Sequence, residues 1–177
     1  MSLKEATAEL HSQAEKMEFN QRMFKGELSE REYCKYLQNM FHIFVALESK
    51  GLPTPKLNRI HNFVTDINEL NGSEGIGTLN DALASTLEYF QYLNNLHPEQ
   101  LKPHIYLNYL ALAYGGQMMK SKVPGSGTIY DFIDMQEAVG SIRAIQKDEW
   151  ADEVNAGFKY IIKILDELQT QSEQPSI

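Results

Sequence analysis

Cysteine is nearly absent from this sequence: Cys34 is the only one among 177 residues. A single cysteine excludes a disulfide within the chain, and it excludes a metal or iron–sulfur site built from several thiolates of one chain. Because this composition fits a reducing compartment, we expect a cytoplasmic location.

Basic residues and long apolar runs are scarce as well. The 16 lysines and arginines are outnumbered by 24 aspartates and glutamates, which leaves a formal net charge of −8 at pH 7. Phosphate contacts need clustered cations, and the sequence has no such cluster, so it argues against a nucleic-acid partner. No apolar run approaches the roughly 18 residues that a membrane-spanning helix needs, so we expect no membrane association.

Strand signals are also missing, since neither alternation with a period of two nor a two-residue hairpin turn occurs. Apolar residues instead recur at helical spacing between glycine- and proline-containing breaks. Two capping boxes, Ser2 with Glu5 and Ser29 with Glu32, predict where the first two helices begin. The predicted helices cover approximately residues 3–17, 29–50, 57–70, 78–96, 101–122, 129–145 and 148–169.

These patterns predict an all-α fold, a single-domain bundle of about seven helices. The length of the chain suits one packed core. We place the helical domain at residues 1–170 and expect a polar, flexible C-terminal tail at residues 171–177.

His11 and Glu15 lie four residues apart in the first predicted helix and therefore share a face. A carboxylate in this position can accept a hydrogen bond from one imidazole nitrogen, which leaves the other nitrogen free to bind iron. The alternative is an ordinary solvated pair, which is common on helix surfaces.

The segment "LALAYGGQMM" at 110–119 places Gly115 and Gly116 inside a long apolar helix. Each glycine costs about 1 kcal/mol relative to alanine there, so the pattern indicates some compensating use. Bare backbone allows a flat ligand to approach closely. A helix that ends early or a close helix–helix crossing explains the glycines equally well.

Four segments, in order along the whole chain, resemble the heme oxygenases of the biliverdin-forming type. The segments are "LKEATAELHSQAEKMEF" at 3–19, "FHIFVALE" at 41–48, "HIYLNYLALAYGGQ" at 104–117 and "NAGFKYIIKILDELQ" at 155–169. The resemblance implies a heme-oxygenase-like helical domain in which heme b, both substrate and cofactor, lies between a proximal and a distal helix. His11 would be the proximal iron ligand and Glu15 its hydrogen-bonding partner, while Gly115 and Gly116 would be the catalytic close-approach residues of the distal helix.

The resemblance also assigns the rim of the heme pocket. Lys4, Tyr106 and Arg143 match the positions that hold the heme propionates, and Phe158 matches an aromatic position beside the heme. Lysine, arginine and tyrosine are suitable donors to carboxylates. The alternative for each polar residue is a solvated surface side chain, and for Phe158 it is a core side chain.

The implied reaction uses heme and O2 and yields biliverdin, most often the IX-alpha isomer, with carbon monoxide and ferrous iron. The electron donor implied for a soluble family member is ferredoxin or a similar small electron-transfer protein, and we expect a monomer. Because ferredoxins are acidic, docking needs a local basic rim. The candidates are Lys4, Arg22, Lys25, Lys120, Lys122, Arg143 and Lys147.

The sequence departs from the family where many members carry a glycine followed by an aspartate that organises proton-delivering water. Ala111 and Leu112 occupy these positions here, and a leucine side chain neither donates nor accepts hydrogen bonds. We hypothesise instead that water bound to backbone carbonyls, freed by a distortion at Gly115 and Gly116, delivers the proton.

Two other interpretations stay open. A non-catalytic heme carrier or sensor would keep the pocket without activating oxygen, which the replacement by Leu112 makes conceivable. A thiaminase-like protein of the same bundle architecture would need a cysteine nucleophile, but the apolar surroundings of Cys34 in the sequence favour a packed core position.

Overall fold

The structure, a computed structural model, describes residues 1–71 and 75–174. Within these ranges the chain forms α-helices and 3-10 turns and no strand, which confirms the predicted all-α class. The helices are α1 (Leu3–Lys16), α2 (Glu18–Phe24), α3 (Glu30–Glu48), α4 (Ile60–Asn71), α5 (Ala84–Asn94), α6 (Pro98–Met119), α7 (Met135–Arg143) and α8 (Ala151–Glu173).

The helix starts that rest on local capping are confirmed. The Ser2 and Ser29 hydroxyls accept hydrogen bonds from the backbone N–H groups of Glu5 and Glu32, and the glutamate side chains bond back to the cap residues. The described residues contain one helix more than the seven predicted, because α2 is a separate helix of 7 residues directly after α1. So short a helix has too few apolar positions to show a period.

Four helices begin later than the spacing predicts. Short 3-10 turns at Pro55–Leu57, Leu79–Asp81, Thr128–Tyr130 and Asp148–Trp150 precede α4, α5, α7 and α8. The predicted cap residue Thr78 caps the turn at Leu79–Asp81 instead of α5. At its other end α8 continues to Glu173, and the last part of the predicted tail, 175–177, lies outside the described residues.

Two hydrophobic clusters hold the bundle together. The larger one surrounds α3, which is buried along most of its length and contains Cys34 in the predicted core position. The smaller one joins α1, α6, the turn before α8, and α8 itself. Its buried members are Leu3, Ala14, Leu107, Trp150, Val154 and Phe158. The smaller cluster therefore packs both α1 and α6 against α8.

The turn before α7 packs against α6 and is itself firmly anchored to α4. The buried Asp66 carboxylate accepts hydrogen bonds from the backbone N–H groups of Thr128 and Ile129, at 3.0 and 2.9 Å. The buried Arg59 guanidinium donates to the Ile129 carbonyl at 2.9 Å. This anchoring holds the ring of Tyr130 against Gly116 of α6.

A buried polar group connects α5, α6 and α8. His104 is fully buried, its Nδ1 lies 2.8 Å from the Tyr89 hydroxyl, and its Nε2 lies 2.8 Å from Oε1 of Glu153. Asn108 donates to the same Tyr89 hydroxyl at 3.1 Å. Gly157 of α8 lies directly over the group, since a Cβ there would come within 2.9 Å of His104 Nδ1.

Among the helices of the described ranges, none combines the length and the hydropathy that crossing a membrane requires.

Candidate functional site

One face of α1 carries the candidate proximal residues. Lys4, His11 and Glu15 lie seven and four residues apart, so their side chains leave the helix on the same side. The His11 Nε2 atom lies 3.0 Å from Oε1 of Glu15, with 60% of the His11 side chain and 55% of the Glu15 side chain exposed. Since this contact uses one ring nitrogen, the other stays available for a ligand.

Phe158 of α8 supports His11 from the protein side. The two rings are stacked, with 5.6 Å between their centroids and 18° between their planes. Phe158 is buried in the smaller cluster, where Leu10 of α1 also packs. The imidazole is therefore held against a fixed aromatic surface while one side of it faces solvent.

The helix α6 runs unbroken through Gly115 and Gly116, so neither an early end nor the expected distortion is present. The Gly116 carbonyl accepts a hydrogen bond from the Lys120 N–H at 3.0 Å and is not freed for water. Packing of the buried side of α6 explains this regularity, because the neighbouring Leu112 and Met119 hold the helix in the core. The Gly116 carbonyl is thus not freed by a distortion, and proton delivery through water bound to the backbone of α6 stays a prediction.

The two glycines differ in their surroundings. A Cβ on Gly116 would lie 2.8 Å from Cδ1 and 2.9 Å from Cβ of Tyr130, closer than atoms pack. A Cβ on Gly115 would meet no atom outside its own helix within 4 Å. Gly116 thus permits a tight contact inside the protein, with a 3-10 turn and not with a second helix, while Gly115 opens onto free space.

An apolar stripe on α6 is exposed around Gly115. We call Ala111, Tyr114, Gly115 and Met118 the exposed stripe, because their spacing places them on one side of the helix. The side chains of Tyr114 and Met118 are 57% and 66% exposed, which is unusual for large hydrophobic residues in this protein. Exposed apolar patches of this kind mark ligand or partner sites.

Leu112 does not belong to the exposed stripe. It is buried in the larger hydrophobic cluster, on the opposite side of α6. A leucine side chain there contributes to the core and offers no polar group to a ligand. The neighbouring Ala111 is exposed, so of the two predicted positions only Ala111 borders the open space.

Arg143, the last residue of α7, reaches two aromatic rings of α6. Its guanidinium carbon lies 5.9 Å from the centroid of Tyr106 and 5.4 Å from that of Tyr114. Its Nη2 donates to the Tyr114 hydroxyl at 3.1 Å, and this hydrogen bond raises the pKa of the guanidinium. Tyr106 also contacts Trp150 edge to face and packs on the smaller cluster.

The structure brings the predicted residues into two groups. His11, Glu15 and Phe158 form one, with Lys4 farther along the same face of α1; Tyr106 and Arg143 form the other. The smaller cluster connects the groups, since it contains Leu10 beside His11 and also Tyr106 of α6.

The sequence alone did not identify Tyr114 or Met118 as site residues. The two residues do recur at helical spacing in the sequence. However, α6 is apolar on several sides, so an apolar residue of this helix is expected to lie in the core. Only the exposure of the two side chains separates them from their neighbours.

These residues fit a flat apolar ligand that carries iron and carboxylates. An exposed imidazole supplies a metal ligand, and the open position at Gly115 admits an aromatic ring to the backbone. The guanidinium of Arg143 lies at the flank of the exposed stripe and suits a carboxylate. Heme has each of these features.

Comparison with known proteins agrees with this fit. The profile of the family described as "Heme oxygenase" matches residues 1–167. The heme oxygenase of Porphyra purpurea is 28% identical over 160 residues, 76% of this chain and 66% of that protein. Heme oxygenase 1 of Bos taurus is 30% identical over 147 residues, 71% of this chain. The chain thus spans only half, 50%, of the bovine protein.

Solved structures show the same fold. Heme oxygenase-1 from the cyanobacterium Synechocystis sp. PCC6803, in complex with heme, has a TM-score of 0.82 at 24% identity, over 96% of this chain and 91% of that one. The heme oxygenase of Leptospira interrogans has a TM-score of 0.80 at 23% identity, over 94% of this chain and 100% of that one. The chain belongs to the heme oxygenase family.

Proposed function

We propose that this protein binds heme and cleaves it oxidatively to biliverdin, carbon monoxide and ferrous iron. One observation carries the proposal: a chain of the heme oxygenase family presents an exposed His11–Glu15 pair, backed by Phe158, on α1. The exposed stripe of α6 supplies an apolar surface on the other helix that the smaller cluster holds beside α8.

His11 is the proposed iron ligand. One ring nitrogen bonds to the iron, and the other donates to the Glu15 carboxylate, which fixes the tautomer and raises the basicity of the imidazole. The stacking on Phe158 restricts rotation of the ring, so the ligand is oriented before heme arrives.

The exposed stripe is the proposed distal wall. Gly115 lets the porphyrin approach the helix backbone, and the Tyr114 and Met118 side chains cover neighbouring parts of the ring. Their side chains would shield part of a bound macrocycle from attack, and the IX-alpha isomer of biliverdin is the product we propose. The bound heme supplies the iron that activates O2 and the ring carbon that is oxidised.

The carboxylate edge of the heme is the part that charged residues orient. Lys4 on α1 and Arg143 beside Tyr106 are the proposed donors to the propionates. Lys4 lies about 10 Å from His11 along the helix axis, at 1.5 Å per residue, which a long side chain can cover in part.

A small electron-transfer protein such as ferredoxin is the proposed reductant. Of the seven basic candidates, Arg22 is already paired with Glu32 at 2.7 Å, and Lys120 is paired with Asp131. Lys122 packs against Gly26, the residue that follows Lys25, and both lysines are exposed. We propose this exposed Lys25–Lys122 patch as the docking point. The proposal includes a monomeric state and a cytoplasmic location.

A heme carrier or sensor is the second candidate, and the burial of Leu112 is the observation that favours it. The exposed stripe contains no carboxylate, and the side chain at the position of the usual aspartate lies in the core. A protein without distal proton delivery would hold heme without opening the ring.

The test is a hemin titration followed by turnover. We expect a Soret band at one hemin per chain in the wild type and in His61→Ala, an exposed histidine of α4, and loss of this band in His11→Ala. Ferredoxin, its reductase and NADPH should then convert the complex into a biliverdin spectrum. Intact oxyferrous heme after reduction would favour the carrier, and equal spectra for His11→Ala and wild type would contradict both candidates.

A further inference from the structure

We propose that Tyr114 is a positioning residue, which holds the Arg143 guanidinium at the flank of the exposed stripe so that it meets a heme carboxylate in one fixed place. The inference rests on the proposed function and extends it, because no residue of α6 beyond Tyr106 has been given a part in binding the carboxylate edge.

The contacts of Arg143 explain why Tyr114 is needed. Arg143 is exposed at the end of α7, and a long exposed side chain ordinarily samples many rotamers. Here its Nη2 donates to the Tyr114 hydroxyl at 3.1 Å and its Nη1 donates to Gln146 Oε1 at 2.7 Å. The Tyr114 ring also lies 5.4 Å from the guanidinium carbon, within the range of a cation–π contact.

These contacts do not use all the hydrogen-bond donors of the Arg143 guanidinium. An arginine has five N–H donors, and two of them are used by Tyr114 and Gln146, so three remain. Neither partner is a carboxylate, so the positive charge of Arg143 is not neutralised by them. The group is therefore both fixed in place and able to accept an anionic partner.

Tyr114 places the Arg143 guanidinium at a defined position relative to the open space at Gly115. Tyr114 directly precedes Gly115, where the helix backbone is bare, and it lies on the side of the exposed stripe that faces Tyr106. Tyr106 is two turns earlier and about 80° around the axis, at 100° per residue. Arg143 lies between the two rings, so a carboxylate bound to it has a defined distance from Gly115, which sets how the macrocycle is rotated in its plane.

Binding measurements with two ligands test the inference. Hemin carries both propionates, while hemin dimethyl ester has the same ring and iron without the negative charges. We expect Tyr114→Phe to raise the dissociation constant for hemin about fivefold, the loss typical of one hydrogen bond. The constant for the dimethyl ester should not change. Tyr160→Phe, on the α5 side of α8, is the matched control and should leave both constants unchanged.

A double-mutant cycle shows whether Tyr114 acts through Arg143. We expect Arg143→Gln to weaken hemin binding at least as much as Tyr114→Phe, and the double variant to bind no more weakly than Arg143→Gln alone. Full additivity would overturn the inference, because the Tyr114 hydroxyl would then act independently of Arg143. An unchanged hemin constant in Tyr114→Phe, or an equal loss with the ester, would overturn it as well.

His11→Ala separates this inference from the proposed function. A Soret band that does not depend on His11, together with a Tyr114 effect confined to hemin, would contradict the proposed function and leave the role of Tyr114 standing. If the complex depends on His11 and turns over, but Tyr114→Phe leaves the hemin dissociation constant unchanged, the proposed function stands and the role of Tyr114 is contradicted. A change in the ratio of biliverdin isomers from Tyr114→Phe would further support the inference.

Discussion

Gly115 and Gly116 follow one another in α6, yet a methyl group meets different surroundings at each. At Gly116 the Cβ and Cδ1 atoms of Tyr130 stand less than 3.0 Å from where the methyl would be, and Tyr130 is fixed by the anchored turn. We expect Gly116→Ala to lower the free energy of unfolding by about 1 to 2 kcal/mol, since overpacking outweighs the gain in helix propensity. Urea unfolding measures this change.

Gly115→Ala should behave in the opposite way. No atom outside the helix lies within 4 Å of the new methyl, so the variant should be as stable as the wild type or up to about 1 kcal/mol more stable. Hemin binding should weaken, because the methyl occupies the open position of the exposed stripe. Gly140→Ala in α7, equally open, is the control and should leave hemin binding unchanged. Unaltered hemin affinity in Gly115→Ala would contradict the placement of the distal wall.

Single residues also show what the sequence could predict of the site. The spacing of His11 and Glu15 within one helix is enough to place them together, and the structure does so. The pairing of Arg143 with Tyr114 joins residues 29 apart in the chain through the packing of two helices, which local spacing does not specify. The different surroundings of Gly115 and Gly116 likewise depend on Tyr130, in another element. The roles assigned to these residues stay predictions.

At the scale of elements, α5, α6 and α8 meet around the buried imidazole of His104. Burial lowers the pKa of His104 below its ordinary value of 6.5, although the neighbouring Glu153 carboxylate acts in the opposite direction. The unfolded chain therefore binds a proton at His104 more readily than the folded chain does. The stability from this group is complete above about pH 6.5 and is lost as the pH falls toward the lower pKa of the folded state.

We expect the free energy of unfolding to decline between about pH 8 and about pH 5, and to decline less in His104→Gln. Two other buried groups contribute and are shared by both proteins: burial lowers the pKa of His42 and raises that of Glu48, so Glu48 stabilises the folded state on the acid side. The difference between the wild type and His104→Gln in the slope of unfolding free energy against pH therefore reports on His104 alone. Parallel slopes would show that His104 does not titrate differently in the folded and unfolded chains.

The elements themselves were predicted with unequal success, for physical reasons. Capping boxes are local, so the starts of α1 and α3 could be predicted from four residues each. The start of α5 could not, because Thr78 and Asp81 form the same kind of box around a 3-10 turn. Whether such a turn extends into an α-helix depends on the core behind it, which short-range sequence signals do not contain.

At the scale of the whole molecule, the proposed reductant, ferredoxin, is acidic, and so is this protein. The net charge of −8 opposes this encounter, so local cations have to direct it. We expect Lys25→Glu combined with Lys122→Glu to reduce ferredoxin-supported turnover about tenfold at low salt, with a smaller effect at high salt. Turnover supported by ascorbate should be unchanged, because ascorbate needs no docking surface.

Lys163→Glu combined with Lys159→Glu provides the control for this charge reversal, because both lysines are exposed on α8. Lys163 is exposed on the α5 side of α8, where it lies 3.5 Å from Glu88, and its reversal changes net charge without touching the Lys25–Lys122 patch. Equal losses from the double variant and from a matched pair of reversals at Lys163 and Lys159 would show that total charge matters and the patch does not.

The anchored turn before α7 has a consequence for the whole site. Asp66 and Arg59 fix this turn, the turn fixes Tyr130, and Tyr130 contacts α6 on the side away from the exposed stripe. The position of the proposed distal wall therefore depends on residues outside the exposed stripe. A protein engineer could move α6 from behind, by changing the volume of the side chain at position 130, and so alter which macrocycles the proposed site accepts while every residue of the exposed stripe keeps its identity.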